Sequence, residues 1–130
     1  MKTKVVWQGG LKFIDKFDDG QEILMGSSEN SEGVSPLKLL LTGVAGCTGI
    51  DIIMILEKMR LNVEKFSIVV EGVRADEHPR RFIEIDIKYI LKGDNLSEDK
   101  VERAIELSID KYCSASNSLN SKINYSYVIE

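Results

Sequence analysis

The sequence predicts an α+β protein whose strands and helices follow in the order βββ-α-ββ-α-β. Two observations carry this prediction. Stretches of alternating apolar and polar residues, typical of half-buried strands, lie near the N-terminus, in the middle and at the C-terminus. Between them lie two longer segments that open with a serine and continue with apolar residues at helical spacing. The chain has 130 residues and no stretch with the composition of a linker, so we expect one domain over residues 1–130, with antiparallel strand pairing.

Three short strands separated by tight turns are predicted before the first helix. The Gly9-Gly10 pair favours a hairpin turn, and the Asp-Asp-Gly run that ends at Gly20 favours a second turn. The polar stretch 26–33 is predicted to be a loop. The strands bounded in this way are residues 4–8, 11–17 and 21–25.

A long helix is predicted to begin at Ser35 and Pro36, because serine suits the N-cap and proline suits the first helical turn. It is expected to run to about Arg60, with Asn62 as its stop. The helix is apolar on nearly every side, which is typical of a membrane span or of a helix in the middle of a protein. Its charges and length favour the second interpretation. Since so small a chain can hardly cover such a helix, we expect a partner subunit to cover part of it.

Two longer strands, a second helix and a final strand complete the chain. The second helix opens at Ser97, carries two acids in its first turn and ends near Cys113. A core-facing stripe is predicted from its helical spacing: Val101, Ile105, Ile109 and Tyr112. The strands are predicted at residues 66–70, 82–91 and 123–129.

Composition excludes several classes of function. The net charge is −4 with a pI of about 5.1, and the basic residues are scattered, so no nucleic-acid partner is expected. No apolar run is judged to reach the length of a membrane span, and the apolar patch near the N-terminus is too short for a signal-peptide core, so neither a membrane nor secretion is expected. We therefore expect a cytoplasmic protein, where thiols are kept reduced.

The sequence shows no converging set of metal ligands, so no metal is expected. The only histidine, His78, precedes a proline in a predicted turn and is interpreted as a turn residue. The chain also lacks a Gly-x-Ser-x-Gly motif and a Cys-x-x-Cys pair.

Two cysteines, Cys47 and Cys113, lie on the two predicted helices and are open to two interpretations. A free cysteine is often a small core residue, yet two cysteines on two core helices can meet and react. Around Cys47, glycines recur every third residue at Gly43, Gly46 and Gly49, which favours either close helix packing or access for a substrate. The residues alone leave both interpretations open.

Three segments carry a resemblance to a known family: "SPLKLLLTGVAGCTGIDIIMILEKMR", "HPRRF" and "AIELSIDKYCSAS". Together they resemble the OsmC/Ohr family of osmotically inducible and organic hydroperoxide resistance proteins, over nearly the whole chain. The resemblance implies an intertwined homodimer with the two long helices at its centre. It also implies that Cys47 and Cys113 meet near the dimer interface.

The resemblance further implies thiol-dependent reduction of organic hydroperoxides without a metal or cofactor. Cys47 would attack the peroxide and become a sulfenic acid, which Cys113 would convert into a disulfide. An external dithiol, for example of the lipoyl type, would then reduce that disulfide. The family role implied is defence against oxidative or osmotic stress.

This chain departs from the peroxidase branch that it resembles. Leu11 stands where that branch has an arginine, Leu37 where it has a glutamate, and Lys38 at a position that is often glutamate in other branches. Asp51, one turn beyond Cys47, is interpreted as a polar contact or a solvent-facing residue rather than a catalyst. The basic residues considered as a replacement charge are Lys12, Lys38, Arg60, Arg80 and Arg81.

The departures favour an alternative function of another class. In that alternative the chain is a non-enzymatic dimer that binds a small apolar molecule beneath the glycine row, and its cysteines are packing residues. The retained cysteine pair favours the peroxidase.

Overall fold

The computed structural model describes residues 1–27 and 32–130, and it confirms the α+β class. The chain divides into two compact units, Met1–Leu40 and Leu41–Glu130. Each unit contains one three-stranded sheet.

The first unit contains the antiparallel sheet predicted from the N-terminal residues. Its turns use left-handed backbone at Gly9, Gly10 and Gly20, a conformation that glycine adopts without strain. The predicted loop at 26–33 falls partly on residues 28–31, which lie outside the described residues. The strands are β1 (Val5–Trp7), β2 (Phe13–Lys16) and β3 (Glu22–Met25).

The second unit is built on a sheet in the order β4-β5-β6. Strands β4 (Asn62–Arg74) and β5 (Phe82–Asp94) pair antiparallel as predicted, but β6 (Lys122–Ile129) lies parallel to β5. The expectation of antiparallel pairing is therefore wrong for β5–β6. The helical connection between these two strands returns the chain to the end of the sheet where β5 began, and such crossovers join parallel strands.

Helix α1 (Pro36–Lys58) begins where the sequence predicts but ends earlier than Arg60. Arg60 adopts a left-handed conformation, and the amide of Leu61 donates to the carbonyl oxygen of Leu56, five residues back. This is the bonding pattern that closes many helices, although glycine usually holds the left-handed position. Asn62, predicted as the stop, instead begins β4.

Among the described residues, one side of α1 is buried. The opposite side leaves Ile50 65% exposed and Met54 53% exposed, so the described part of the chain does not cover the whole helix. By length and composition α1 is apolar enough to cross a membrane, so the expectation that no apolar run reaches the length of a span does not hold for this helix. A membrane span was one of the two interpretations of its apolar sequence. The core helix of a soluble protein meets the same two criteria. The buried side consists of residues spaced four apart: Val44, Thr48, Ile52 and Leu56.

The second predicted helix is divided into three parts. Helix α2 (Glu98–Leu107) continues into a π-helical segment (Ser108–Tyr112) and then into the single turn α3 (Ser114–Asn117). The prediction that Tyr112 faces the core is wrong, because this side chain is 49% exposed. The wider π turn shifts every later residue around the helix axis, and it directs Cys113 inward instead.

Candidate active site

Cys47 on α1 and Cys113 at the start of α3 are brought together by the fold of the second unit. Their two sulfur atoms and a carboxylate oxygen of Asp51 all lie within 4.8 Å of one another. Both cysteines are free thiols, and they differ in access: Cys47 is half-buried, whereas Cys113 is fully buried. The chain therefore holds an accessible thiol beside an inaccessible one.

The π-helical segment determines where Cys113 points. The amide of Cys113 donates to the carbonyl oxygen of Ser108, 2.7 Å away and five residues earlier. In an α-helix residues five apart point about 140° away from each other, whereas the wider turn brings them closer to one side. Ser108 and Cys113 can consequently both face α1.

The environment of Cys113 favours its neutral form. Burial raises the pKa of the Cys113 thiol, and the neighbouring Cys47 raises it further, against the lowering effect of hydrogen bonds from Ser116. The amide of Ser116 lies 3.5 Å from the Cys113 sulfur and donates to it. Cys113 is thus a protonated thiol poised next to a more accessible one.

A chain of buried hydroxyl groups leads to Asp51. The Ser108 hydroxyl donates to the Asp51 carboxylate at 3.0 Å, so its oxygen must accept from Thr48, 2.7 Å away. Thr48 has then used its single proton and accepts from the hydroxyl of Tyr89 at 2.8 Å. Burial raises the pKa of Tyr89 to about 12, which keeps this hydroxyl a donor. The order of donation is therefore set from Tyr89 to Asp51.

Sequence reasoning did not identify the residues of this chain of hydroxyls. Thr48 had a detectable signal, since it is the polar member of an otherwise apolar stripe on α1. Ser108 and Tyr89 had none, because only the tertiary structure brings them to Thr48. Asp51 makes the polar contact that the sequence analysis favoured, and in addition it lies beside both sulfur atoms.

Of the basic residues considered as partners of Cys47, Arg81 is bound elsewhere. Its guanidinium donates to the carbonyl oxygens of Phe82 and Asn120, at 3.1 and 2.6 Å. A role beside Cys47 stays a prediction for the other four, including Arg60, which follows the end of α1.

An open apolar groove of about 590 Å³ runs between α1 and β4. Its lining includes Gly46, the residue that precedes Cys47 in the sequence. The three glycines on this helix are not equivalent. A methyl group at Gly49 would lie 2.9 Å from the tip of Ile68, whereas at Gly43 and Gly46 it would meet no described atom within 4 Å. Close packing therefore occurs at Gly49 alone, against a strand rather than another helix. Other lining residues are Thr42, Ala45, Ile50, Ile53, Met54, Phe66 and Ser67.

Comparison with known proteins gives matches over nearly the full length of the chain. Residues 28–127 match the family described as OsmC-like protein. The chain is 33% identical to Protein YhfA of Escherichia coli K12 over 130 residues, which cover 100% of this chain and 97% of the relative.

Two solved structures resemble this chain in fold. A crystal structure of an OsmC like protein from Mycoplasma pneumoniae matches with a TM-score of 0.86 and 20% identity, covering 98% of this chain and 95% of the other. The organic hydroperoxide resistance protein OhrB of Bacillus subtilis matches with a TM-score of 0.65 and 15% identity, covering 100% and 98%. At these identities the likeness is one of fold, and it is greater to the OsmC-like protein.

Proposed function

Because this chain belongs to the OsmC-like protein family, we propose that it is a thiol-dependent peroxidase that reduces organic hydroperoxides through Cys47 and Cys113. Its role would be defence against oxidative or osmotic stress in the cytoplasm. Among the proteins of similar fold, the Bacillus subtilis one is described as an organic hydroperoxide resistance protein, which supports this choice of substrate class.

One observation carries the proposal: an accessible thiol lies beside a buried one, with their sulfur atoms within 4.8 Å. A disulfide requires the sulfur atoms to approach to about 2.0 Å, a distance that modest side-chain rotation and local movement of the short α3 turn would cover. The unequal access supports the assignment of roles, since only the half-buried Cys47 can meet a substrate directly.

The proposed reaction has three balanced steps. The Cys47 thiolate attacks the outer peroxide oxygen, the O–O bond breaks, and the alkoxide leaves as an alcohol after taking a proton from solvent. The sulfur, oxidised by two electrons, is then a sulfenic acid. The Cys113 thiol attacks that sulfur, so that the disulfide forms and the hydroxyl leaves with the Cys113 proton as water. An external dithiol, in lipoyl or protein form, exchanges with the disulfide and is itself oxidised.

The peroxidase proposal is tested by mass spectrometry after a brief stoichiometric dose of cumene hydroperoxide. We expect each chain to lose two hydrogen atoms, with the loss mapped to a Cys47–Cys113 bridge within one chain. Added catalase leaves the result unchanged, because it removes only hydrogen peroxide. Free thiols beside unconsumed hydroperoxide would contradict the proposal.

We also propose that the functional unit is a homodimer built on the uncovered side of α1. Ile50 and Met54 expose most of their surface there, beside the apolar groove. Apolar area of this kind is typical of an interface between subunits, and burying it would complete the covering of the helix.

The dimer is tested by replacing Met54 with glutamate, which places a charge on the uncovered side of α1. Size-exclusion chromatography with light scattering should give twice the chain mass of 14.6 kDa for the natural protein and a shift toward the single mass for Met54→Glu. The matched control is Val69→Glu, because Val69 is equally exposed at 55% but alternates with the groove-lining Ile68 and so faces the other side of the sheet. A stable monomer of the natural protein would refute the dimer.

A second candidate function is binding of a small apolar ligand without catalysis. The groove along α1 favours it, as its lining is almost wholly apolar side chains and backbone. So do Leu11 and Leu37, which replace the arginine and glutamate of the resembled peroxidase branch. In that case Cys47 and Cys113 both stay reduced in the peroxide experiment. Solvent extraction of the purified protein would then release a small apolar molecule.

A further inference from the structure

The peroxidase steps leave one member of the site without a role. Asp51 lies within 4.8 Å of both sulfur atoms, yet no step above uses its carboxylate. Two sulfur atoms and a carboxylate oxygen grouped in this way are a set of ligands that a metal ion can bind.

We propose that Cys47, Asp51 and Cys113 form a binding site for a thiophilic divalent cation such as Zn²⁺ in the reduced protein. Two thiolates and one carboxylate are ligands that zinc accepts, and thiolate ligands favour zinc over magnesium or calcium. The three donor atoms come from two elements of one unit, α1 and the turn that opens α3.

The distances are close to those that the metal requires. Zinc binds sulfur at about 2.3 Å and carboxylate oxygen at about 2.0–2.2 Å, so tetrahedral ligands lie about 3.8 Å apart. The three atoms lie within 4.8 Å of one another, so contraction of about 1 Å closes the site. The half-buried side chain of Cys47 leaves access to a fourth position, which a water molecule would fill.

Two hydrogen bonds already orient the ligands from outside. The Ser108 hydroxyl donates to Oδ2 of Asp51, while the amide of Ser116 donates to the sulfur of Cys113. Bonds of this kind fix ligand orientation in metal sites and stabilise the charge on thiolates. In this proposal the chain of hydroxyls from Tyr89 through Thr48 to Ser108 holds one metal ligand, Asp51, in place.

Metal and peroxide would compete for the same reduced thiols. Binding displaces the protons of Cys47 and Cys113, and no electron is transferred. A disulfide between the two cysteines would remove both sulfur ligands and release the metal. The site does not depend on peroxidase activity, since a pair that never reacts with peroxide can still bind zinc.

The test uses the reduced chain, freed of metal and small thiols without oxygen, with Co²⁺ as the spectroscopic probe. We expect one cobalt per chain, with the sulfur-to-cobalt absorption bands of a four-coordinate thiolate site. Competition with a chromophoric chelator then measures zinc affinity. Asp51→Asn is expected to weaken zinc binding at least about tenfold, since the loss of a residue that merely orients a metal ligand already costs about that much. Cys47→Ser is expected to reduce the sulfur-to-cobalt absorption band.

The matched control is Glu57→Gln, an exposed acid on the same helix, which should leave affinity unchanged. Asp51 and Cys47 are half-buried, so variants at these two positions should fold even if Cys113→Ser, at a fully buried position, does not. Circular dichroism verifies the folding of each variant. Absence of the sulfur-to-cobalt band, or equal zinc affinity in Asp51→Asn, would overturn the proposal. Either result leaves the peroxide experiment unaffected, so the two proposals fail separately.

Discussion

Replacement of Cys47 by serine is expected to reduce the consumption of organic hydroperoxide to the background rate of the buffer. Serine keeps the size of the side chain but removes the accessible thiol that the proposed first step requires, and the remaining thiol, Cys113, is fully buried. Without a dithiol, Cys113→Ser is expected to consume at most about two equivalents per chain and then stop, because the sulfenic acid of Cys47 has no partner and a second equivalent oxidises it to sulfinic acid. Repeated turnover is measured from peroxide loss in the presence of a dithiol.

The two cysteine variants differ in their products as well as their rates. In Cys113→Ser, Cys47 should proceed to sulfinic acid under excess peroxide, an oxidation that most reductants do not reverse. Ser114→Ala, an exposed neighbour of Cys113, serves as the control and should retain full turnover. Undiminished peroxide consumption by Cys47→Ser would exclude Cys47 as the attacking residue.

Replacement of Ile52 by alanine is expected to lower the free energy of unfolding by about 2–5 kcal/mol. Ile52 has 0% exposure and belongs to the buried stripe of α1, so the truncation leaves a cavity beneath the helix. Its neighbours in that stripe, Thr48 and Leu56, are equally buried and leave little room for collapse. Urea unfolding followed by circular dichroism gives the change as a shift of the midpoint.

Ile50→Ala is the matched control, because it removes the same atoms two residues away on the same helix. Ile50 is 65% exposed in the single chain, so its loss is expected to change the unfolding free energy of that chain by less than about 0.5 kcal/mol. Both variants are measured at protein concentrations low enough for the chain to be monomeric, because Ile50 lies on the side of α1 proposed as the dimer interface and its loss would otherwise weaken association. Equal destabilisation by both variants would contradict the division of α1 into a buried and an uncovered side.

At Leu11 and Leu37 this chain departs from the peroxidase branch that it resembles, which has an arginine and a glutamate at these positions. Any peroxidase activity here would therefore depend on a local environment of Cys47 different from that branch, and Asp51 with its hydroxyl partners is the polar group found there.

The sequence by itself determined those features that depend on near neighbours along the chain. The alternating strands, the start of α1 at Pro36 and the start of α2 after Ser97 follow from local periodicity and capping, and all were confirmed. The cysteine pair was a further prediction, but it came from the family resemblance and not from spacing, because residues 66 positions apart have no local relation.

Only the tertiary structure decided how those elements meet. The parallel pairing of β6 depends on where the helical crossover returns the chain, and alternation within a strand carries no direction. The π turn before Cys113 inserts one extra residue into a helix whose spacing otherwise reads as α, which exposes Tyr112 and turns Cys113 inward. Asp51 then meets both sulfur atoms and Ser108, since contacts among distant residues arise from packing that a one-dimensional pattern does not contain.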